Sequence, residues 1–363
     1  MSTPNLRAVV MAAAWLPALG AVAAPLSLEQ AVELAVQRSQ MTQSARASAM
    51  SASQMARAAG QQPDPMLTLG IDNLPATGRS RFSTNAEDMT MKRIGLAQEW
   101  VSAEKRAARE AAAQAMSRRE AVMEQVAAAD ARLQSALAYI EAYYAGEAAR
   151  LTALNERHAR EELEAGKGRL ATVSGSSAEV LGLASALGAA EDESADLLQQ
   201  KGGFMAALQR WTGVSGVELS EPRLAVAPAQ EGFVAAHPLV VARQRDIEVA
   251  RQEVEVARLN RKPSWSYEVS YGQRVGRPDL VSIGVSIPLP VAPDARQDRE
   301  TAAKRALVGK AEADAEEARR AAAGEYAALA NDARRLQERI DRLQAAVVEP
   351  LKQRTAATLA AYR

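Results

Sequence analysis

The chain has 363 residues, of which 48% are hydrophobic, yet only 3 are Phe, 4 are Trp and 7 are Tyr. An apolar content made mostly of Ala, Leu and Val suits long, closely packed helices better than a thick globular core. The 44 Lys and Arg residues balance the 44 Asp and Glu residues, so no nucleic acid is expected as a partner, and the lack of Cys excludes disulfides and thiolate chemistry.

Residues 1–24 are predicted to be a secretory signal peptide. They carry a single charge, Arg7, followed by an apolar run that ends in small residues. Pro17 and Gly20 argue against the alternative, a buried N-terminal helix. No later segment resembles a membrane-spanning helix, and without a Cys at the cleavage point no lipid anchor is expected on the mature chain.

The rest of the chain is predicted to contain one supersecondary unit twice. The first copy, residues 25–225, contains a helix, two strands at about 65–74 and 90–101, and long helices at about 102–165 and 177–212. The second copy, residues 226–363, contains a helix, strands at about 264–274 and 280–290, and a long helix at about 294–363. When the copies are aligned, Pro65 falls on Pro263 and Leu67 falls on Trp265.

The four strands alternate apolar with polar residues, and each has about the 9 to 11 residues that a tilted strand needs to cross a bilayer. The residues predicted to face lipid and to form an aromatic girdle are Trp100, Trp265, Tyr267, Tyr271, Val281, Ile283, Val285 and Ile287. Four strands cannot close a barrel, so three copies with twelve strands are the simplest even solution. A sandwich sheet with one buried face is the alternative.

Apolar residues in the long helices recur every three or four positions, for example at Leu133, Leu137 and Ile140, which favours supercoiled helix pairing. A single helix over residues 103–164 would be on the order of 90 Å long. Gly166, Lys167 and Gly168 are predicted to form the turn that ends it, because glycine adopts the left-handed backbone of such turns. The turn is a natural place for contact with a partner.

No enzyme activity, metal or cofactor is predicted. Ser102 and Lys105 fit the Ser-x-x-Lys pattern of penicillin-binding enzymes, but the companion motifs are absent. Ser102 is instead expected to cap a helix, with Lys105 on a solvated first turn. The two histidines, His158 and His237, have no further ligands at metal-binding spacing.

Several of these features together resemble the TolC-type outer membrane efflux factors. They are the signal peptide, the helix from Leu28, the Ala-Gly-Lys-Gly segment at residues 165–168 and the duplicated unit of two strands and a long helix. Residues 63–75 and 89–99 are more specifically similar to the heavy-metal resistance branch, the cobalt-zinc-cadmium type. The resemblance covers nearly all of residues 25–363.

The resemblance implies a mainly α fold with a small β part. Long coiled-coil hairpins would form a periplasmic tunnel, and four strands from each of three copies would form a barrel in the outer membrane of a Gram-negative bacterium. The implied partners are outer membrane lipid, an inner-membrane proton-driven RND-type pump and a periplasmic adaptor (membrane fusion) protein that contacts the turn at Gly166, Lys167 and Gly168. The expected cargo is heavy-metal cations, conducted passively.

Family members continue past the second long helix into another turn and a returning helix. The final return helix is therefore expected to be missing from this chain, which ends at Arg363. Two alternatives stay open at this point. One is a periplasmic adaptor or coiled-coil scaffold, and the other is a non-functional fragment of the channel.

Overall fold

The computed structural model of the protein describes residues 25–172, 174–223 and 226–361, so the predicted signal peptide lies outside the described residues. The chain is mainly helical with one small antiparallel sheet, which confirms the predicted fold class. It divides into two compact units. Among the described residues, one comprises residues 25–35 and 134–223, and the other comprises residues 36–133 and 226–361. No helix in the described ranges is long and apolar enough to cross a membrane.

Eight α-helices and four strands make up the described chain. The helices are α1 Leu28–Arg38, α2 Gln40–Ala59, α3 Ala103–Ala171, α4 Ser177–Thr212, α5 Gln230–Ala236, α6 Pro238–Leu259, α7 Gln297–Leu343 and α8 Glu349–Ala361. The strands are β1 Met66–Asp72, β2 Met91–Trp100, β3 Trp265–Arg274 and β4 Leu280–Ser286.

Two boundaries differ from the predicted ones because of proline. The strand predicted to reach residue 290 ends at Ser286, since Pro288 and Pro290 lack the N–H that a ladder requires. The helix predicted at about 294–363 is interrupted by a π-helical turn, Gln344–Val348, between α7 and α8. Pro350 follows that turn, and its ring and missing N–H disrupt the regular hydrogen bonds of the preceding turn.

The prediction that Gly166 and Gly168 end the first long helix is wrong. Helix α3 continues to Ala171, and neither glycine has a positive φ angle. Helix α4 then begins after Ser176, whose side chain accepts a hydrogen bond from the backbone N–H of Glu179 at 3.2 Å.

The sheet has the order β1-β2-β3-β4 with every pair antiparallel. Leu67 pairs with Leu96, Leu96 pairs with Val269, and Val269 pairs with Ile283. One row of side chains on one face therefore comes from all four strands, because side chains alternate between faces along each strand.

The first unit has a core around Tyr139 of α3, which is 0% exposed. Its hydroxyl lies 2.6 Å from the carbonyl oxygen of Leu26 and 2.7 Å from that of Ser220, and it donates to these two acceptors. Leu26 in turn donates its N–H to the carbonyl of Glu218 at 2.8 Å. The tyrosine thus ties the segment that precedes α1 to the segment that follows α4.

In the second unit, α7 packs along α6 through small side chains. Val240 of α6 and Ala318 and Ala322 of α7 form the buried cluster, and Phe233 of α5 packs against it. Alanine at the contact allows the two helix backbones to approach closely.

Candidate functional site

One face of the sheet is apolar and exposed to solvent in the single chain. The predicted lipid-facing residues that lie in the strands are between 38% and 76% exposed. They are Trp100, Trp265, Tyr267, Tyr271, Val281, Ile283 and Val285. Leu67, Leu69, Ile71, Ile94, Leu96 and Val269 extend the same face. Since no described element of the chain covers this face, the sheet is not the buried layer of a sandwich, and a contiguous apolar patch of this kind marks an interaction surface.

Ile287 is the one predicted lipid-facing residue that the strands do not contain. It follows the last residue of β4 and is 54% exposed. The alternation in the sequence continues through this position, but the ladder stops because Pro288 cannot donate a hydrogen bond.

Aromatic side chains flank the apolar face at the end of the sheet where the helices join. The rings of Trp100 and Trp265 lie 6.0 Å apart between centroids, and those of Trp265 and Tyr267 are also 6.0 Å apart. Tyr271 lies about 20 Å from Trp265 along the same strand and donates its hydroxyl to Asp279. Aromatic residues at both edges of an apolar band are typical of strands that cross a membrane.

The opposite face of the sheet carries polar side chains, several of which are small. Ser266, Ser270, Ser282 and Ser286 lie on it, and Arg93 sits 3.0 Å from Asp72 and 3.4 Å from Glu268 in a chain of ion pairs. A cavity of about 410 Å³ on this face is lined by residues of all four strands. The sheet therefore has one polar face and one exposed apolar face, as a segment of barrel wall does.

Ion pairing also joins the two hairpin loops at the other end of the strands. The guanidinium of Arg277 donates to a carboxylate oxygen of Asp88 through Nε at 3.0 Å and Nη2 at 2.8 Å. This hydrogen bond and the positive charge of Arg277 hold the pKa of Asp88 below its ordinary value.

The Gly166-Lys167-Gly168 segment lies in the last turns of α3, beside the start of α4. A Cβ atom on Gly166 would lie 2.6 Å from Cδ1 of Leu183, whereas a Cβ on Gly168 would meet nothing within 4 Å. Lys167 pairs with Glu164 of its own helix at 2.8 Å, and Arg169 pairs with Glu179 of α4 at 2.6 Å. Gly166 therefore serves the close packing of the hairpin, and partner contact by this segment stays a prediction.

The sequence predicted the wrong solvent exposure for one residue in the region between the sheet and the helices. Lys105 was expected on a solvated first turn but is 6% exposed, with its ammonium group 3.2 Å from the hydroxyl of Ser264. Ser102 does accept a long 3.4 Å hydrogen bond from the N–H of Lys105, as a cap would. The burial comes from a contact 159 residues away in sequence, which no local pattern reports.

No group of three or more metal-binding side chains occurs among residues 25–172, 174–223 and 226–361. The two histidines make isolated contacts with single carboxylates. His158 lies 3.4 Å from Glu161, and His237 lies 3.4 Å from Glu325.

Comparison with known proteins was informative only at the level of structure. No family model and no curated protein sequence matches the chain. The outer membrane protein VceC of Vibrio cholerae aligns with a TM-score of 0.71 at 19% identity over 91% of this chain and 84% of that chain. The outer membrane channel CmeC of Campylobacter jejuni aligns with a TM-score of 0.71 at 15% identity over 98% and 85% of the respective chains.

The open state of the MtrE outer membrane channel of Neisseria gonorrhoeae gives a TM-score of 0.71 at 16% identity, over 93% of this chain and 79% of that chain. At these identities the likeness shows the fold. The chain thus has the fold of outer membrane channel proteins, which is the fold that its sequence resemblance implied.

Proposed function

We propose that this chain is the outer membrane channel component of a tripartite efflux system and conducts substrate passively to the exterior. The observation that carries the proposal is the four-stranded sheet, with an exposed apolar face edged by aromatic rings and an opposite face that is polar. In water, an exposed apolar face of this kind is unfavourable. In a barrel, lipid covers the apolar face and water covers the polar face, so each face has a favourable solvent. The predicted signal peptide supports an outer membrane location with a periplasmic extension.

The free edges of the sheet support assembly with further copies. Strands β1 and β4 each have one unpaired edge, and open edges of this length promote association. Both strands have 7 residues, so full-length antiparallel pairing between copies puts Met66 opposite Ser286. That register also places Leu67, Leu69 and Ile71 opposite Val285, Ile283 and Val281, which keeps the apolar face continuous. Three copies then close a twelve-stranded barrel as a homotrimer.

The α3–α4 hairpin is the surface that we propose for the periplasmic adaptor, which would link the channel to an inner-membrane proton-driven RND-type pump. The hairpin is held by the Arg169–Glu179 ion pair and by a second pair between Arg160 and Glu191 at 2.9 Å. Leu181 is 70% exposed beside the Gly166-Lys167-Gly168 segment, so apolar contact area is available to a partner.

Heavy-metal cations are the cargo that we propose. The polar face of the strands carries the carboxylates of Asp72, Glu99 and Glu268 against the guanidinium groups of Arg93 and Arg274, which leaves an excess of negative charge. A water-filled pore with this charge favours cations over anions. The proposal includes no enzymatic step and no cofactor. An adaptor or scaffold, the alternative function, would have no use for the exposed apolar face.

The test of assembly combines native mass with cysteine cross-linking, for which the absence of native Cys is an advantage. The variant Leu67→Cys/Val285→Cys, extracted in detergent from the outer membrane fraction, should have the native mass of three mature chains. On oxidation it should give disulfide-linked dimers and trimers. The control pair Leu67→Cys/Val281→Cys is displaced by four residues, about 13 Å, and should not cross-link. A monomeric mass together with no cross-linking of either pair would contradict the proposal.

Cation preference is tested separately by the reversal potential of the trimer in a planar bilayer with a salt gradient. A cation-selective potential supports the proposed cargo class. A zero or anion-selective potential contradicts it.

A further inference from the structure

A positively charged pocket lies where the sheet meets the helices, and we call it the junction pocket. It has a volume of about 550 Å³ and lies between the start of α3, the α6–β3 connection and the segment that leaves β4. The residues that define it are Lys105, Arg261, Lys262, Ser264, Pro288, Leu289, Pro290, Val291, Arg296 and Gln297. Four of them are cations, and no Asp or Glu is among the residues that line it.

Three of the four cations have a carboxylate partner nearby. The ammonium of Lys262 lies 2.5 Å from Glu104, Arg261 lies 3.6 Å from Asp298, and Arg296 lies 3.8 Å from Glu300. The charges of these three pairs cancel.

Lys105 is the cation without such a partner in the part of the chain that the structure describes. Its ammonium donates to the hydroxyl of Ser264, which is neutral. Burial lowers the pKa of Lys105, Arg109 lowers it further, and Glu99 opposes both effects. Glu99 acts on Lys105 from beyond ion-pair distance, and a buried ammonium with no carboxylate in direct contact is unfavourable, so the junction pocket has room and charge for one additional carboxylate.

The β1 edge carries a carboxylate that matches this requirement. Asp64 precedes β1, is exposed, and takes part in no hydrogen bond or ion pair within the described chain. Pro63 and Pro65 flank it and restrict the backbone on both sides, so its position relative to β1 is well defined.

The register proposed for barrel closure brings these two features together. If Met66 of one copy lies opposite Ser286 of the next, then Asp64 and Pro288 each lie two residues beyond the paired strands at the same end of the interface, and Pro288 lines the junction pocket. Asp64, Ser264 and Pro288 also share the polar face, since each is an even number of residues from a strand residue on that face. The proposed register therefore places Asp64 of one copy beside the junction pocket of the next copy.

We propose that Asp64 of the partner subunit inserts its carboxylate into the junction pocket and pairs with Lys105. The pocket is then completed by a second copy of this chain, and each interface of the assembly contains one such pair. This inference rests on the proposed homotrimer and adds to it the residues that fix the register between copies. A shift of the register by two residues keeps the faces matched but leaves both charges unpaired, so the pair selects one register.

The position of Asp64 is tested with the variant Asp64→Cys/Pro288→Cys. Oxidation should give disulfide-linked dimers and trimers that disappear on reduction, because the proposed register places the two positions beside each other at the end of the paired strands. The pair Leu67→Cys/Val285→Cys reports closure alone. If that pair cross-links and Asp64→Cys/Pro288→Cys does not, the inference about the pocket is wrong and the channel proposal stands. If neither pair cross-links and the mass is that of a monomer, the channel proposal itself fails.

The charge pairing is tested by a double-mutant cycle with Asp64→Asn and Lys105→Gln. Dissociation of the detergent-extracted trimer is followed by analytical ultracentrifugation. Each single variant should raise the dissociation constant per interface by about tenfold or more. The dissociation constant of the double variant should be no higher than that of the single variant with the higher constant. Glu87→Gln, which removes a carboxylate at the opposite end of the strands, should leave the constant unchanged. Additive effects of the two substitutions would show that Lys105 has only a structural role within its own chain and would overturn the pairing.

Discussion

The apolar face of the sheet gives a quantitative prediction at Ile283. This residue is 76% exposed and lies in the central row of the face, between the Trp265 end and the Lys92 end of the strands. In water, Ile283→Arg at such an exposed position would change stability by no more than about 0.5 kcal/mol. In a bilayer the central row lies near the midplane, where arginine costs about 2 to 4 kcal/mol. That energy corresponds to a roughly 30- to 900-fold change in the folding equilibrium constant.

The matched control is Ser282→Arg, the adjacent residue on the polar face, which is also exposed. It places the same side chain in the same strand but in the aqueous interior, so its expected cost is under about 1 kcal/mol. Ile71→Arg, at the end of the apolar face near Lys92, should fall near the interfacial value of about 0 to 1 kcal/mol.

The assay is urea unfolding of protein reconstituted in phospholipid vesicles, followed by tryptophan fluorescence, to which Trp100 and Trp265 of the sheet contribute. The expected order of destabilisation is Ile283→Arg, then Ile71→Arg, with Ser282→Arg close to the unsubstituted protein. If the arginines at 282 and 283 cost the same, the two faces are in the same solvent. The assignment of lipid outside and water inside would then be refuted.

Three further outcomes follow from the contacts described above. Gly166→Leu should lower the thermal midpoint of unfolding measured by circular dichroism, because overpacking of the hairpin costs about 1 to 3 kcal/mol, while Gly168→Leu has open space and should be neutral or stabilise by up to about 1 kcal/mol. Equal shifts for the two glycines would contradict this packing role. Tyr139→Phe should cost about 0.5 to 1.5 kcal/mol in the same measurement, since it removes the hydroxyl from a buried site while the carbonyl of Leu26 keeps the N–H of Ser220 as a donor, and an unchanged midpoint would argue against the hydroxyl's hydrogen bonds. The loop contact between Asp88 and Arg277 should persist above the ordinary aspartate pKa near 3.9 and be lost as the pH falls through the lower folded-state value, because a depressed carboxyl pKa stabilises only the ionised form. Arg277→Gln should raise the pKa of Asp88 in an NMR titration, and no change would refute the assigned cause.

The alternation along the strands could be interpreted without a structure because each side chain has only two directions available. Trp265, Tyr267, Val269 and Tyr271 occupy one face whatever their neighbours do. Ile287 shows what the pattern leaves open, since it says which face a residue would occupy but not that β4 ends one residue earlier, at Ser286. The stop depends on whether Pro288 can pair with its neighbour, which is a property of two strands.

The end of α3 also depends on a tertiary contact that the local sequence does not specify. Glycine permits a turn but does not require one, and at Gly166 the deciding factor is a neighbouring helix whose Leu183 occupies the space of a Cβ atom. Lys105 likewise lies in a first helical turn whose sequence is typical of a solvent-exposed turn, yet Ser264 and the α6–β3 connection bury its side chain.

The sequence by itself determined the mainly α fold class, the apolar and polar faces of the strands and the resemblance to outer membrane channels. The fold class and the two faces follow from periodicity and composition, which act between residues close together in the chain, whereas the resemblance rests on the motifs and the duplicated unit. Only the tertiary structure decided the pairing of β2 with β3 and the junction pocket around Lys105. Both features depend on contacts between segments more than a hundred residues apart, whose free energy depends on packing and burial that no local pattern encodes.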